Sequence, residues 1–286
     1  DKQQDRLAKT DPDGGERVIK AVFFDIDGTL RDFDTGRIPE SAREAVAQAR
    51  REGILCFAAT GRHLLEIEEE SLLEGVSLDG LVTLNGQYCL DGKGRVLYEN
   101  PIPEDQVRQM LDFLEEKPLP CIFMEAEAMY INFVDDRVRQ AQAGIGTAIP
   151  PIRDLQRGLG YPVYQMVPYG DACECEQILY RLPGCRGLRW HDGLAIDIIS
   201  ADGSKENGIR RILSRFGISR EECAAVGDGY NDLSMIRWAG LGIAMGNGKP
   251  EVREAADYVT AAVTEDGIRQ AMDYIRRFRS TRHPDG

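Results

Sequence analysis

A short apolar run ends in a polar loop, a helix follows, and the unit repeats; few folds accommodate this pattern. Residues 18–24 are rich in β-branched and aromatic side chains and read as a strand buried on both faces. Residues 39–52 read as a helix, with Pro39 near its first turn and Gly53 after its end. Residues 54–59 and 81–84 are the next two strands. The pattern resumes late in the chain, with helices at 205–216, 231–238, 250–256 and 265–278 and strands at 223–226, 241–245 and 258–261. Such alternation predicts an α/β fold with a parallel, doubly wound sheet.

The middle of the chain has another character. Residues 87–100 read as a hairpin turning at Asp91-Gly92. Helices follow at 104–116, 135–143 and 172–182, interleaved with strand-like pieces at 121–125, 129–134 and 162–168 and within 187–199. Hairpins mixed with helices predict an α+β unit with an antiparallel sheet. The expected division is therefore a domain from residues 18–86 and 197–286, interrupted by an inserted domain at 87–196. Residues 1–17 are polar and read as a disordered leader or an appended remnant, with no signal-peptide pattern.

Bulk properties narrow the partners. The formal net charge of −13 disfavours nucleic acid and acidic membranes. No apolar run approaches the roughly 18 residues of a membrane span. The seven cysteines are scattered, odd in number and without a C-x-x-C pair, as expected for reduced thiols in a cytoplasmic protein. Cys173 and Cys175 do not have zinc-knuckle spacing. A phosphorylated substrate, repelled by the overall charge, would require positive charge concentrated at its site.

Four short motifs carry chemistry. Phe24-Asp25-Ile26-Asp27-Gly28-Thr29-Leu30 sets two carboxylates two residues apart where a buried strand ends, the edge at which open α/β sheets bind ligands. Alone, an Asp-Gly turn explains it as well. Thr60-Gly61-Arg62 follows the next strand, where a hydroxyl and backbone N–H groups suit an anion, or where Thr60 simply caps a helix. Lys205 opens a helix and can serve as a compact charge on a phosphate oxygen, or as a solvated lysine. Gly227-Asp228-Gly229-Tyr230-Asn231-Asp232 again places carboxylates after a buried strand. Asp25, Asp27, Asp228 and Asp232 brought together would repel, and a hard divalent cation such as Mg2+ resolves that repulsion.

In their order and placement these motifs, with Asn85-Gly86, resemble the haloacid dehalogenase-like hydrolase superfamily, in its phosphatase branch. The likeness runs from about residue 18 to 278 and is greatest to the Cof-type group (subclass IIB), whose α/β cap lies between the second and third motifs. The resemblance implies a Mg2+-dependent phosphatase that acts through an aspartyl-phosphate. By that likeness Asp25 is the nucleophile and a metal ligand. Asp27 is the general acid and then base, and offers its backbone carbonyl to the metal; Asp228 is the third ligand. Thr60, Gly61, Lys205 and Asn231 hold the phosphate, and Asp232 supports the metal shell or Lys205. Arg62 and Asn85 have supporting places. The polar approach to Lys205 at 200–204 is longer than the family pattern.

The physics of these roles is consistent. A carboxylate nucleophile splits hydrolysis into two easier steps, and a halide leaving group would need no proton from Asp27. A P-loop is absent, since Gly242 to Lys249 has one residue too many, and no G-x-G-x-x-G follows the first strand. A phosphomutase of the same superfamily and a phospho-acceptor regulatory module are the remaining alternatives. The expected substrate is a small phosphorylated metabolite, a sugar phosphate or similar, read by the inserted domain. His63 reads as part of a solvated face and His191 as core or surface. Oligomeric state has no signature.

Overall fold

The structure, a computed structural model, describes residues 18–190 and 192–280; the expectations for residues 1–17 and for His191 lie outside them. The strands are β1 (Ala21–Phe24), β2 (Leu55–Ala59), β3 (Gly80–Thr83), β4 (Tyr88–Asp91), β5 (Val96–Glu99), β6 (Cys121–Met124), β7 (Met129–Ile131), β8 (Gln165–Pro168), β9 (Cys185–Arg189), β10 (Ile196–Ser200), β11 (Cys223–Gly227), β12 (Leu241–Ala244) and β13 (Tyr258–Val259). The helices are α1 (Glu40–Arg51), α2 (Leu64–Glu69), α3 (Glu104–Glu116), α4 (Asp136–Ile145), α5 (Ala172–Arg181), α6 (Lys205–Phe216), α7 (Leu233–Trp238), α8 (Pro250–Ala255) and α9 (Gly267–Ser280). Among the described residues they build two sheets.

The larger sheet has the order β13-β12-β11-β1-β2-β3-β4-β5. β1 is central, parallel to β11 on one side and β2 on the other. Its alternating side chains enter different layers. Val22 and Phe24 pack with Ala45 and Val46 of α1 and with Ile268 and Met272 of α9. Ala21 and Phe23 pack with residues of α6, α7 and α8, among them Ile209, Met235 and Val252. Phe23 stacks on Phe57 of β2 with ring centroids 4.7 Å apart. Burial on both faces is why β1 reads as an unbroken apolar run rather than an alternating one. The chain winds outward from β1 toward β3 and from β11 toward β13. The reversal lies between β1 and β11, so a crevice opens at their carboxyl ends.

The smaller sheet, β7-β6-β8-β10-β9, is antiparallel throughout. Period-two alternation divides its side chains. Cys121, Phe123, Met166 and Ile198 face α3 and α5. Ile122, Met124, Val167 and Tyr169 belong to the other face, with Val138 and Ala141 of α4 and Leu84 from the larger unit.

The sheets divide at different points from the expected 87 and 196. The hairpin at 87–100 forms as expected, but β4 pairs antiparallel with β3 and so extends the larger sheet. Cys89 fills the same layer as Val82 and Ile209, which fixes β4 there. At the other end β10 runs to Ser200 within the smaller sheet. By sheet membership the insert begins after Glu99 and ends at Ser200. No described helix is long and apolar enough to cross a membrane.

Candidate functional site

Asp25 follows β1 directly, and its N–H continues the ladder to the Val226 carbonyl of β11 (2.9 Å). The next residues turn sharply. Gly28 has φ +81°, and a Cβ there would stand 2.4 Å from Asp228 Oδ2, so glycine is required both by the backbone and by the approach of the second acidic loop. Thr29 Oγ1 donates to Asp228 Oδ1 (2.9 Å) and ties the two loops together.

Beneath them lies Lys205, the first residue of α6, with Ser204 as its N-cap. Its Nζ is 2.6 Å from Asp25 Oδ1 and 2.6 Å from Asp232 Oδ1, and the residue is 1% exposed. The other Asp232 oxygen accepts the N–H groups of Asp228 (2.9 Å) and Gly229 (2.8 Å). Asp232 thus shapes the loop and anchors the lysine, and both its oxygens are engaged.

Carboxylate oxygens of Asp25, Asp228 and Asp232 all lie within 4.8 Å of one another. One lysine cannot neutralise three buried carboxylates. Burial and the neighbouring Asp232 hold the Asp25 carboxyl well above its usual range, with Lys205 pulling the other way. Asp228 is pushed up to about 7, by burial first and then by Asp232. An all-oxygen set short of positive charge fits a hard divalent cation. Asp25 and Asp228 are the members whose second oxygens are not taken up by Lys205, Thr29 or backbone N–H groups.

Removing Lys205 therefore has a definite expected result. Lys205→Met should leave Asp25 and Asp232 buried without their cation, a loss of about 3–5 kcal/mol. Urea unfolding of the metal-free protein measures it; a loss below about 1 kcal/mol would show that the lysine does not hold the site together.

Asp27 is oriented differently. Arg62 reaches both its oxygens (Nε to Oδ2 2.8 Å, Nη2 to Oδ1 3.2 Å), and Arg31 Nη1 donates to Oδ1 at 3.0 Å. Arg62 also holds Glu66 (3.3 Å) and the Ile145 carbonyl of the inserted unit (3.2 Å). Arg31 was not among the residues singled out above. Its one local signal is its place four residues after Asp27.

Thr60 Oγ1 accepts the Arg62 N–H (3.1 Å), while the N-cap of α2 is His63. His63 corrects the expectation of a solvated face. It is 1% exposed; Nδ1 accepts the Leu65 N–H, and the Nε2 proton faces the Glu125 carbonyl of the inserted unit at 2.6 Å. Sequence reasoning missed this contact because its partner lies 62 residues away.

These elements border a cavity of about 950 Å3 that lies between the two units and is open to solvent. Asp25, Asp27, Thr60, Gly61, Arg62, Asp228 and Asn231 line it; Lys205, Asp232 and Asn85 stand behind them. The inserted unit contributes Met124, Met129, Gln165, Trp190 and Asp197. Burial pushes the Asp197 carboxyl up to about 6, against the N–H groups of Trp190 and Asn85. Cys173 and Cys175 take no part: one is exposed, the other buried, and both are free thiols.

Comparison with known proteins adds four findings. A family model described as haloacid dehalogenase-like hydrolase matches residues 22–272. The putative phosphatase YkrA of Bacillus subtilis is 36% identical over 254 residues, 88% of this chain and 96% of that protein. The pyridoxal phosphate phosphatase YbhA of Escherichia coli is 27% identical over 88% of this chain and 97% of its own length. Among solved structures, the subclass IIB sugar phosphatase BT4131 superposes with a TM-score of 0.79 at 38% identity, over 90% of this chain and 99% of that one.

Proposed function

This chain belongs to the haloacid dehalogenase-like hydrolases and is a phosphatase, and from that premise we propose that it is Mg2+-dependent and attacks its substrate with Asp25. One observation carries this reading. Asp25 and Asp228, at adjacent strand ends, sit over the buried Lys205–Asp232 pair and face the cavity between the two units.

In the first step an Asp25 carboxylate oxygen bonds to phosphorus as the bond to the leaving oxygen breaks, and Asp27 gives that oxygen a proton. In the second, Asp27 takes a proton from water, whose oxygen attacks the same phosphorus and releases phosphate and the Asp25 carboxylate. Both Asp27 oxygens are bonded to arginine here, so one of those bonds must be exchanged for the leaving oxygen when substrate enters. The carboxylates of Asp25 and Asp228 and the Asp27 carbonyl would hold Mg2+, which supplies positive charge to the phosphoryl oxygens. Thr60, the Gly61 backbone, Asn231 and the remaining Lys205 proton would fix those oxygens in line. Arg62 and Arg31 keep Asp27 at the cavity wall.

The substrate we propose is a small phosphorylated metabolite, a sugar phosphate or a similar compound. Relatives named for a sugar phosphatase and for pyridoxal phosphate support that class. So does a cavity whose inserted-unit wall mixes apolar Met124, Met129 and Trp190 with polar Gln165 and Asp197. Seven free cysteines, most of them buried, favour a reducing compartment such as the cytoplasm. A panel of phosphorylated metabolites, read by release of inorganic phosphate, tests the class. Turnover of sugar and cofactor phosphates is expected; hydrolysis confined to phosphodiesters or phosphoproteins would contradict it.

A further inference from the structure

We propose that Asn85 is a positioning residue that couples occupancy of the phosphate site to closure of the inserted unit. The inference rests on the reading of Gly61 and Asn231 as phosphate-holding residues. Asn85 lies in the turn between β3 and β4, fully buried, with a backbone φ of +54°. The turn is fixed from behind: at Gly86 a Cβ would meet the Ser204 carbonyl oxygen at 2.0 Å, directly before Lys205.

The side-chain amide of Asn85 is divided between the two units. Its Oδ1 accepts Asn231 Nδ2 at 3.1 Å, within the larger unit. Its Nδ2 donates to Gln165 Oε1 (3.0 Å) and Asp197 Oδ2 (2.8 Å), both in the inserted unit. The chain of bonds continues at each end. Gln165 Nε2 donates back to the Gly61 carbonyl at 3.4 Å, and Trp190 Nε1 donates to Asp197 Oδ1 at 2.7 Å. Gly61 itself lies under the amide, since a Cβ there would be 3.0 Å from Asn85 Nδ2.

An amide nitrogen has two protons, and here both go across the interface. If the inserted unit moves away, both lose their partners together and the amide is free to rotate. Asn231 then loses the acceptor that aims it. With the unit closed, Asn231 and Gly61 are held in place before phosphate arrives, and phosphate bound there favours closure in turn, because coupling between two sites is reciprocal. A turn residue alone would not need this amide. Glycine meets the backbone requirement at positive φ as well as asparagine does.

The last point supplies the test. Asn85→Gly keeps the turn and removes only the amide. Inorganic phosphate with Mg2+ is the probe, with two readouts: inhibition of aryl phosphate hydrolysis, and amide hydrogen exchange over Gln165–Pro168 and Ile196–Ser200. In the parent protein phosphate is expected to inhibit and to slow exchange in both strands. In Asn85→Gly inhibition should weaken about tenfold, and the slowing should vanish even at saturating phosphate. A second variant set guards against a merely structural effect. Asn85→Asp alone sets two carboxylates against each other and should lose the slowing. Asn85→Asp with Asp197→Asn restores a donor–acceptor pair in the opposite sense and should regain it. Full phosphate-dependent slowing in Asn85→Gly, or a double variant no better than Asn85→Asp, would overturn the coupling. Phosphate that fails to inhibit the parent protein would overturn the phosphate-site reading, and the coupling with it.

Discussion

Asp25→Asn is expected to lower kcat by roughly 10^4- to 10^6-fold, the scale on which loss of a nucleophile acts in covalent catalysis. The amide keeps the shape of the carboxylate and can still accept a bond from Lys205, so the fold should persist. The effect on stability runs the other way. Burial and Asp232 hold the Asp25 carboxyl above its usual range, so its ionised form is a burden on the metal-free protein at neutral pH. The variant should therefore melt no lower than the parent without metal. Steady-state kinetics and a thermal melt check both halves. Near-normal turnover in a folded variant would contradict the mechanism.

Removal of the metal is the second large effect. Excess chelator should abolish turnover, Mg2+ should restore it, and Ca2+ should inhibit, because its larger and looser shell spoils in-line geometry. The stability signature has a definite sign. Asp228 stands at about 7 in the metal-free protein, well above a free carboxyl. A carboxyl raised in the folded state contributes stability below its unfolded value of about 4 and loses it as pH rises through the folded value. The metal-free protein should thus weaken as pH rises from about 4 to about 8. Mg2+ held by Asp228 would favour its ionised form, so the ion should raise Tm more at about pH 8 than at about pH 5.5. An equal rise at both would show that Asp228 is not in the ion's shell. Full activity in chelator would remove the metal from the account.

Much of the fold and of the candidate site was legible in the sequence because the site lies where local pattern is informative. β1 and β11 are buried on both faces, so their apolar runs stand out and their ends at Asp25 and Asp228 are easily located. Lys205 is marked by the helix it opens, although nothing local says that it is buried under two aspartates. The rest depends on tertiary placement. The β4–β5 hairpin has the same alternation whichever sheet it joins; the pairing of β4 with β3 and the packing of Cys89 beside Val82 assign it to the larger one. Arg31 and the burial of His63 depend on neighbours that no short motif contains. The Asn85 bonds join residues 80, 112 and 146 positions apart. Such pairs leave no periodic trace.

The central claim is that Asp25 carries the phosphoryl group between two steps. It is tested most directly by acid quench during rapid turnover of a sugar phosphate with Mg2+, followed by peptide mapping. A phosphoryl group is expected on the peptide that contains Asp25, labile to hydroxylamine, formed in a burst up to one per active site and absent in Asp25→Asn. Substrate turnover with no phosphorylated peptide, and with inversion rather than retention of configuration at phosphorus, would contradict it.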